Sequence, residues 1–382
     1  MKKSLLALAA MSAFAGAAQA QSSVSVYGLY DGGYNNKRSE MNVNGTKTTT
    51  SSSDMTGNQQ TSSRLGFRGV EDLGGGLTAM FNYELGFNPG TGSLDTVQGL
   101  TAAGQSASDP IRTSIVGLGS KSLGALEVGR QLTGVFGTAA GDVFGGSNMD
   151  GDLVNANFGG ATGNTTAQRL HQGATRINGL TYRAPNIAGL LVRLDYSNNL
   201  ATTAAGASTS GLASTNTTAE QTNNQGITGT YVNGPFKVAF SNHRVASNSN
   251  ITSSNGQVSK RNINIGSVAY IDKGLTVQVT TGNNKVDTNN LQATKGSATR
   301  YAVSYAVTPA ITPFAMYGNG KSEMTVAAPV TSDNTGYLFG ANYTMSKRTR
   351  LYGAYGYQKS DIKSTTTTKT NNEFGLGVVH TF

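Results

Sequence analysis

Residue types that ordinarily carry chemistry are sparse and scattered in this 382-residue chain. Cysteine is absent, which excludes a disulfide framework and any thiolate-ligated zinc or iron–sulfur site. The three histidines, His171, His243 and His380, form no pair at i, i+2 or i, i+4 that would hold a metal. There is no Gly-x-Ser-x-Gly elbow and no compact Ser/His/Asp constellation. Gly74-Gly75-Gly76 reads as a turn and not as a phosphate loop, since no helix follows it. These absences speak against an enzyme and against a resident cofactor. What remains is charge placed on strands. Leu65 and Phe67 are apolar at alternate positions, so Arg64, Gly66 and Arg68 share the opposite face. Arg193 and Arg300 fall on the polar parity of their own segments and are weaker candidates. Arginines lined up on one face of a sheet suit a selective passage, where width and lining charge decide which ion enters.

The elements that must position these arginines are extended. Phe236, Val238 and Phe240 alternate with Lys237, Ala239 and Ser241. Leu190, Val192, Leu194 and Tyr196 alternate in the same way with Leu191, Arg193 and Asp195. Leu275, Val277 and Val279, then Tyr301, Val303, Tyr305 and Val307, then Tyr337, Phe339, Ala341 and Tyr343 repeat the pattern. A period of two over 7–11 residues is the strand signal, and helical spacing is nearly absent. Glycine is abundant, at 50 residues, and charged residues make up only 13%, about half the usual share. The 29 Lys and Arg against 20 Asp and Glu give a net charge of +9, but the basic residues are dispersed, which argues against nucleic acid as a partner.

The first twenty residues stand apart. Lys2 and Lys3 precede an apolar run ending at Gly16, and Ala18-Gln19-Ala20 is a small-x-small cleavage site. Residues 1–20 therefore read as a secretory signal peptide, leaving a mature unit of 21–382. No later apolar run reaches the roughly 18–20 residues that a membrane-crossing helix needs.

Connections alternate between two kinds. Tight turns fall at 72–75, 121–124, 185–189, 233–235, 272–274 and 346–348. Between them lie long stretches rich in Ser, Thr, Asn and Gly, at 35–60, 88–110, 131–172, 199–224, 246–258, 285–297, 323–333 and 360–370. These stretches read as loops. Short and long connections in strict alternation fit an antiparallel transmembrane barrel with short periplasmic turns and long external loops. The connections delimit about sixteen strands of roughly 10–11 residues each. In hydrocarbon every backbone polar group needs an internal partner, so a spanning sheet must close on itself. One face then meets lipid, and the polar partner positions line water, consistent with a mean hydropathy of −0.27. Tyr301, Tyr305, Tyr337, Tyr343, Tyr355 and Tyr357 lie on apolar parities, as an interfacial aromatic girdle requires.

The last segment places Phe374, Leu376, Val378 and Phe382 on one face and stops on an aromatic residue. Such an ending resembles the signal read by the outer-membrane barrel-assembly machinery. The segment Ser63-Arg64-Leu65-Gly66-Phe67-Arg68-Gly69-Val70-Glu71-Asp72-Leu73-Gly74-Gly75-Gly76-Leu77 resembles the signature of general trimeric outer-membrane porins of the beta-proteobacterial type. In order along the chain, Gly129-Arg130-Gln131, Asn178-Gly179-Leu180-Thr181-Tyr182, Ser346-Lys347-Arg348-Thr349, Leu351-Tyr352-Gly353 and His380-Thr381-Phe382 resemble further parts of the same pattern.

That resemblance implies an all-β, 16-stranded barrel assembled as a homotrimer, with the third external loop folded into the lumen and small hydrophilic solutes diffusing through passively. Residues 131–172 occupy the position of that constriction loop, although Val143-Phe144-Gly145-Gly146 follows Asp142 where the family commonly has Pro-Glu-Phe-Gly-Gly. The loop's carboxylates are Asp142, Asp150 and Asp152. Anion-preferring members carry an arginine at the position of Arg64, and Arg112 and Arg176 lie near two further pore arginines. Arg176 is offset by one residue, which a bulge would restore. Two roles stay open for these arginines. They form a ladder opposite the loop acids that attracts anions, or they pair with those acids and hold the loop. Expected partners are outer-membrane lipid, small anionic or neutral solutes, a second and third copy of the chain, and the assembly machinery acting on Phe382. A substrate-specific channel and a surface adhesin barrel are the alternatives.

Overall fold

Repeated alternation, broken mainly at polar turns, folds this chain into one sheet. The computed structural model describes residues 23–94, 110–143, 148–154, 170, 175–204, 217–250, 257–288, 292–325 and 330–382. The signal segment at 1–20 and His171 lie outside the described residues, as do parts of the constriction stretch. Seventeen strands follow in chain order: β1 (Ser23–Val43), β2 (Thr46–Gly57), β3 (Arg64–Gly74), β4 (Leu77–Gly86), β5 (Ile111–Ser120), β6 (Gly124–Leu132), β7 (Arg176–Arg183), β8 (Leu190–Ala204) and β9 (Thr217–Asn233). Then come β10 (Phe236–Asn250), β11 (Gln257–Asp272), β12 (Leu275–Thr288), β13 (Gln292–Tyr305), β14 (Ile311–Thr325), β15 (Val330–Thr344), β16 (Thr349–Ile362) and β17 (Thr367–Thr381). A short helix, α1 (Gly134–Ala140), lies between β6 and β7.

Each strand pairs antiparallel with its neighbours, and β1 closes the ring against β17, with Leu29 opposite Thr381 and Val43 opposite Thr367. Closure also uses Phe382, whose N–H donates to the Gly28 carbonyl at 3.1 Å and whose carbonyl accepts from the Gly28 N–H at 3.0 Å. The lower part of β1 pairs with β3 and its upper part with β2. β2 and β3 are therefore one barrel strand, interrupted at 58–63, and the barrel is sixteen-stranded.

The alternation sorts the two faces. Phe236, Val238, Phe240, Val277, Val279, Tyr301, Val303, Tyr305, Phe339, Leu376 and Val378 all point outward and are exposed, which suits a surface bathed in hydrocarbon. Tyr301, Tyr317, Tyr337 and Tyr357 sit opposite one another on four successive strands with ring centroids 5.4–6.3 Å apart.

Two expectations are corrected. Most of the polar stretches at 35–60, 199–224, 246–258, 285–297, 323–333 and 360–370 are strand where they are described, because the ladders continue past the apolar band. Thr and Ser satisfy a strand as well as a loop once their backbones have partners, and threonine's branching favours it. Strands consequently run to 21 residues rather than 10–11. Second, the inward face is not uniformly polar. Ile263, Ile265, Phe314, Met316 and Leu338 point inward and are buried.

The interruption at 58–63 is organised by one buried carboxylate. Asp31 accepts hydrogen bonds from the Tyr352 hydroxyl at 2.7 Å and from the N–H groups of Gln60 and Thr61, each at 2.8 Å. Its own N–H donates to Ser63 Oγ at 2.9 Å. Gln60 reaches on to β16, where it accepts from Arg350 Nε at 2.9 Å. Asp31→Ala would leave a hydroxyl and two amides without their charged acceptor, costing about 3 kcal/mol or more. The expected outcome is a lower temperature for loss of the compact, fast-migrating form on detergent gels, and an unchanged temperature would show that other contacts hold the break.

Candidate functional site

The sheet leaves the backbone of the β6–β7 connection no edge to join, and the described part of that connection lies inside the barrel. Thr133 opens α1 as its N-cap, accepting from the Phe136 N–H at 3.4 Å. Asp195 on β8 supplies a carboxylate at the same end. Its Oδ2 accepts the Gly134 N–H at 3.0 Å, while Oδ1 takes Arg193 Nε at 2.8 Å and the Thr181 hydroxyl at 2.7 Å. The other end of the helix meets a cation. Arg300 on β13 donates from Nη2 to the carbonyls of Ala139 (3.0 Å) and Ala140 (3.3 Å), and from Nη1 to both oxygens of Asp152 at 3.0 and 2.8 Å. Acid at the N-terminus and base at the C-terminus complement the helix dipole. The Arg300 and Asp152 side chains are 1% and 0% exposed, so this ion pair is dry.

Apolar contacts fill the space around these anchors. Val135, Ala139, Leu153, Val154 and Leu170 pack against Val245, Ile263, Ile265 and Ala298 of the wall. Val143 and Met149 pack against Phe314, Met316, Leu338 and their neighbours. Inward apolar residues on β11, β14 and β15 thus exist to receive the loop. Gly336 and Gly356 allow its closest approach, because a Cβ on either would overlap the backbone of Gly151 or Asp150.

The three loop carboxylates each have their own cation. Asp142 pairs with Lys237 at 2.6 Å, Asp150 with Lys37 at 2.6 Å and Asp152 with Arg300 at 2.8 Å. Asp150 is further tied by its N–H to Glu373 at 2.7 Å, and Asn148 donates its N–H to Gln59 O at 3.1 Å, docking the loop on the interrupted strand. The cations that hold the loop acids are thus Lys237, Lys37 and Arg300.

Those arginines gather elsewhere, around Glu84. Arg112 Nε lies 2.7 Å from Glu84 Oε1, and the Tyr27 hydroxyl reaches Glu84 Oε2 at 3.1 Å and Asn82 at 2.8 Å. Arg112 is brought there by an irregularity of register, since Glu84 opposes Thr113 but Leu85 opposes Ile111. The bulge expected beside Arg176 thus falls on Arg112. Arg176 Nε donates to the Arg112 carbonyl at 2.9 Å. Arg64 donates to Thr61 Oγ1 at 3.1 Å and lies within electrostatic reach of Arg112 and Glu84. Arg130 completes the group, donating from Nε to the Ile111 carbonyl and from Nη1 to Asn178. It shares the parity of the outward Leu126 and Val128, and the change of direction comes at Gly129, whose φ is +126°. Strand alternation alone therefore misses Arg130. Arg68 stands beside the group, exposed, with its guanidinium 5.0 Å from the Tyr27 ring centre.

Between α1 and the wall is a cavity of about 770 Å³ lined by Phe136, Asp142, Arg183, Arg193, Lys237 and Gln278 among others. His243 is buried in the wall on β10, and His380 shares a hydrogen bond with Thr349 at the turn end. Neither joins the arginine group.

Replacing Arg300 by Ala would strand Asp152 in a dry site and remove the helix's C-terminal cap. Breaking one side of a buried pair costs about 3–5 kcal/mol. The expected result is rapid protease cutting between β6 and β7 in an otherwise folded barrel, mapped by mass spectrometry. Leucine at both positions 152 and 300 should recover part of the resistance, and an uncut Arg300→Ala loop would show that the apolar contacts suffice.

The geometry agrees with the relatives. Over 138 residues the chain is 41% identical to an outer membrane porin of Bordetella pertussis, a match covering 34% of each chain. Over 89 residues it is 45% identical to outer membrane porin protein 32 of Delftia acidovorans, covering 21% of each. The chain thus spans about a third and a fifth of the length of these curated relatives. Its fold matches an anion-selective porin from Comamonas acidovorans at a TM-score of 0.61 and 19% identity, covering 95% of this chain and all of that one. OmpT of Vibrio cholerae, in a trimer form, matches at 0.60 and 16% identity over 94% of this chain and 99% of that one. Residues 7–363 match the Gram-negative porin family, more than half the chain, and a closed barrel with a lipid-facing apolar band is the fold such a match requires: the chain belongs to that family and resides in the outer membrane.

Proposed function

We propose that the barrel is a passive diffusion channel for small hydrophilic solutes and ions across the outer membrane, and that it favours anions. One observation carries the anion preference. Among the described residues, Arg64, Arg112, Arg130 and Arg176 gather beside the carboxylate of Glu84, whereas Asp142, Asp150 and Asp152 are each taken by a cation of their own. Positive charge at the wall is then not cancelled by the loop. A low-dielectric wall concentrates the resulting field on the aqueous path, which raises the local concentration of anions. On this reading the loop acids anchor the constriction, and the arginines with Arg68 select. The structural neighbour described as anion-selective supports it.

A homotrimer is proposed on the strength of the trimer form of OmpT. Phe382, paired to Gly28 at the seam, is proposed as the residue read during assembly.

Reconstituted in a planar bilayer under a salt gradient, the protein should give stepwise conductance and a reversal potential set by the anion. Alanine at Arg64, Arg112 and Arg176 together should lower the anion-to-cation permeability ratio several-fold. Cation preference in the unaltered protein would overturn the anion reading, and absence of conductance would overturn the channel itself.

Salt supplies a separate check. The Debye length falls from about 10 Å at 0.1 M to about 3 Å at 1 M. Anion preference should therefore weaken markedly between those concentrations, and a ratio independent of salt would point to size exclusion instead of charge.

A further inference from the structure

Arg64 and Arg68 stay apart from a carboxylate that lies within reach of both. On β3 the inward residues are Arg64, Gly66 and Arg68, and on β4 they are opposed by Gly86, Glu84 and Asn82 in that order. Glu84 therefore stands across from Gly66 and diagonal to each arginine. Diagonal neighbours on one face of a sheet lie about 7–8 Å apart, within the reach of an arginine side chain. Among the described residues, however, neither Arg64 nor Arg68 is in an ion pair. Glu84 is buried, at 8% exposure, and its Oε1 lies 2.7 Å from Arg112 Nε. Its second oxygen has a different partner.

Tyr27 supplies it. On β1 the side chains of Val24 and Val26 face outward, so Tyr27 faces the lumen, directly opposite Gly66. Its ring lies across Gly66, in space that a Cβ at that position would occupy. By crossing β3 in this way the hydroxyl reaches β4, where it donates to Asn82 at 2.8 Å and to Glu84 Oε2 at 3.1 Å. Gly66 is the residue between Arg64 and Arg68 on the inner face, and the ring therefore fills the gap between the two cations. The Arg68 guanidinium rests over the ring, 5.0 Å from its centre, and remains exposed. Arg64, on the other side, turns to Thr61 Oγ1 at 3.1 Å.

We propose that Tyr27 is a positioning residue for ion selection: it wedges Arg64 and Arg68 apart and closes the free oxygen of Glu84, so that neither arginine collapses onto that carboxylate. The inference rests on the anion preference proposed above and names a residue that preserves it. Net charge in the group is the same with or without the ring. What the ring decides is where the charge sits. A hydroxyl suits the task because it donates to a carboxylate without bringing a charge of its own. The face of an aromatic ring likewise attracts a guanidinium without neutralising it. With Tyr27 in place, Glu84 is matched to Arg112 alone. Without it, a buried carboxylate with an open oxygen draws a diagonal arginine against the wall and away from the ion path.

Reversal potentials of the reconstituted protein under a potassium chloride gradient test the proposal. Tyr27→Ala should lower the anion-to-cation permeability ratio about twofold, the effect of moving one unit charge from about 4 Å to about 8 Å from the ion path in water. Gly66→Ala keeps the tyrosine but lifts its ring off the sheet, and should lower the ratio in the same direction. Tyr27→Phe opens Glu84 Oε2 while leaving the ring, and should give a smaller fall. The decisive comparison is made in Glu84→Gln, where there is no carboxylate to collapse onto. There Tyr27→Ala should leave the ratio where Glu84→Gln alone sets it, an outcome that a merely structural role for the ring would not produce. An unchanged ratio in a folded Tyr27→Ala barrel, or an equal fall with and without Glu84, would overturn the proposal. Cation preference in the unaltered protein would instead overturn the anion reading on which it rests. If Tyr27→Ala does not fold, Tyr27→Phe with and without Glu84→Gln decides by the same comparison.

Discussion

Everything in this protein follows from the demand that a sheet in hydrocarbon have no edge. β1 meets that demand at the seam. Its lower part pairs with β3, its upper part with β2, and most of its length with β17, so one 21-residue strand closes the ring. Once the ring is shut, the chain between β6 and β7 has no vacant ladder to extend. The described part of it lies in the lumen instead, where its polar backbone is satisfied by wall side chains such as Asp195 and Arg300.

The interior consequently has two chemistries side by side. One part is dry. Loop residues Val135, Leu153 and Leu170 lie on Ile263 and Ile265, and the Arg300–Asp152 pair is sealed among them. A pair so thoroughly removed from water adds little net stability compared with apolar side chains of the same size, but losing half of it is costly. It therefore specifies where the loop sits more than how stable the barrel is. The other part is charged: Arg112, Arg130 and Arg176 are buried beside Glu84, with Arg68 exposed at the edge of the group. On the proposed reading, anchoring and charge selection fall to different residues. The loop acids are spent on Lys37, Lys237 and Arg300, so the field of the arginine group is preserved.

Much of this could be read from residue order. The outward parity of Phe236, Val238 and Phe240, and the inward placement of Arg64 and Arg68 opposite Leu65 and Phe67, follow from a period of two that the tertiary fold does not disturb. The extended runs of Ser, Thr and Asn were legible only as polar. Whether such a run is loop or ladder depends on a partner strand, as 46–57 finds in β1. Nothing in the parity of Arg300 marks its role, since its partner Asp152 is 148 residues away. The break at 58–63 left no local trace, since the carboxylate that holds it, Asp31, lies on a different strand.

Local alternation and turn chemistry were enough to indicate the fold class and the number of barrel strands, and the porin-like segments, Ser63–Leu77 first among them, implied the class of function to propose. These properties depend on neighbours within a few residues, so sequence order contains them. Which cation each carboxylate meets was decided by tertiary structure alone. An ion pair needs two side chains within about 4 Å, and register, closure, the Glu84–Leu85 irregularity and the turn of the chain at Gly129 set those distances. Because the same arginines could have met the loop acids or gathered elsewhere, only the closed barrel could decide between those arrangements.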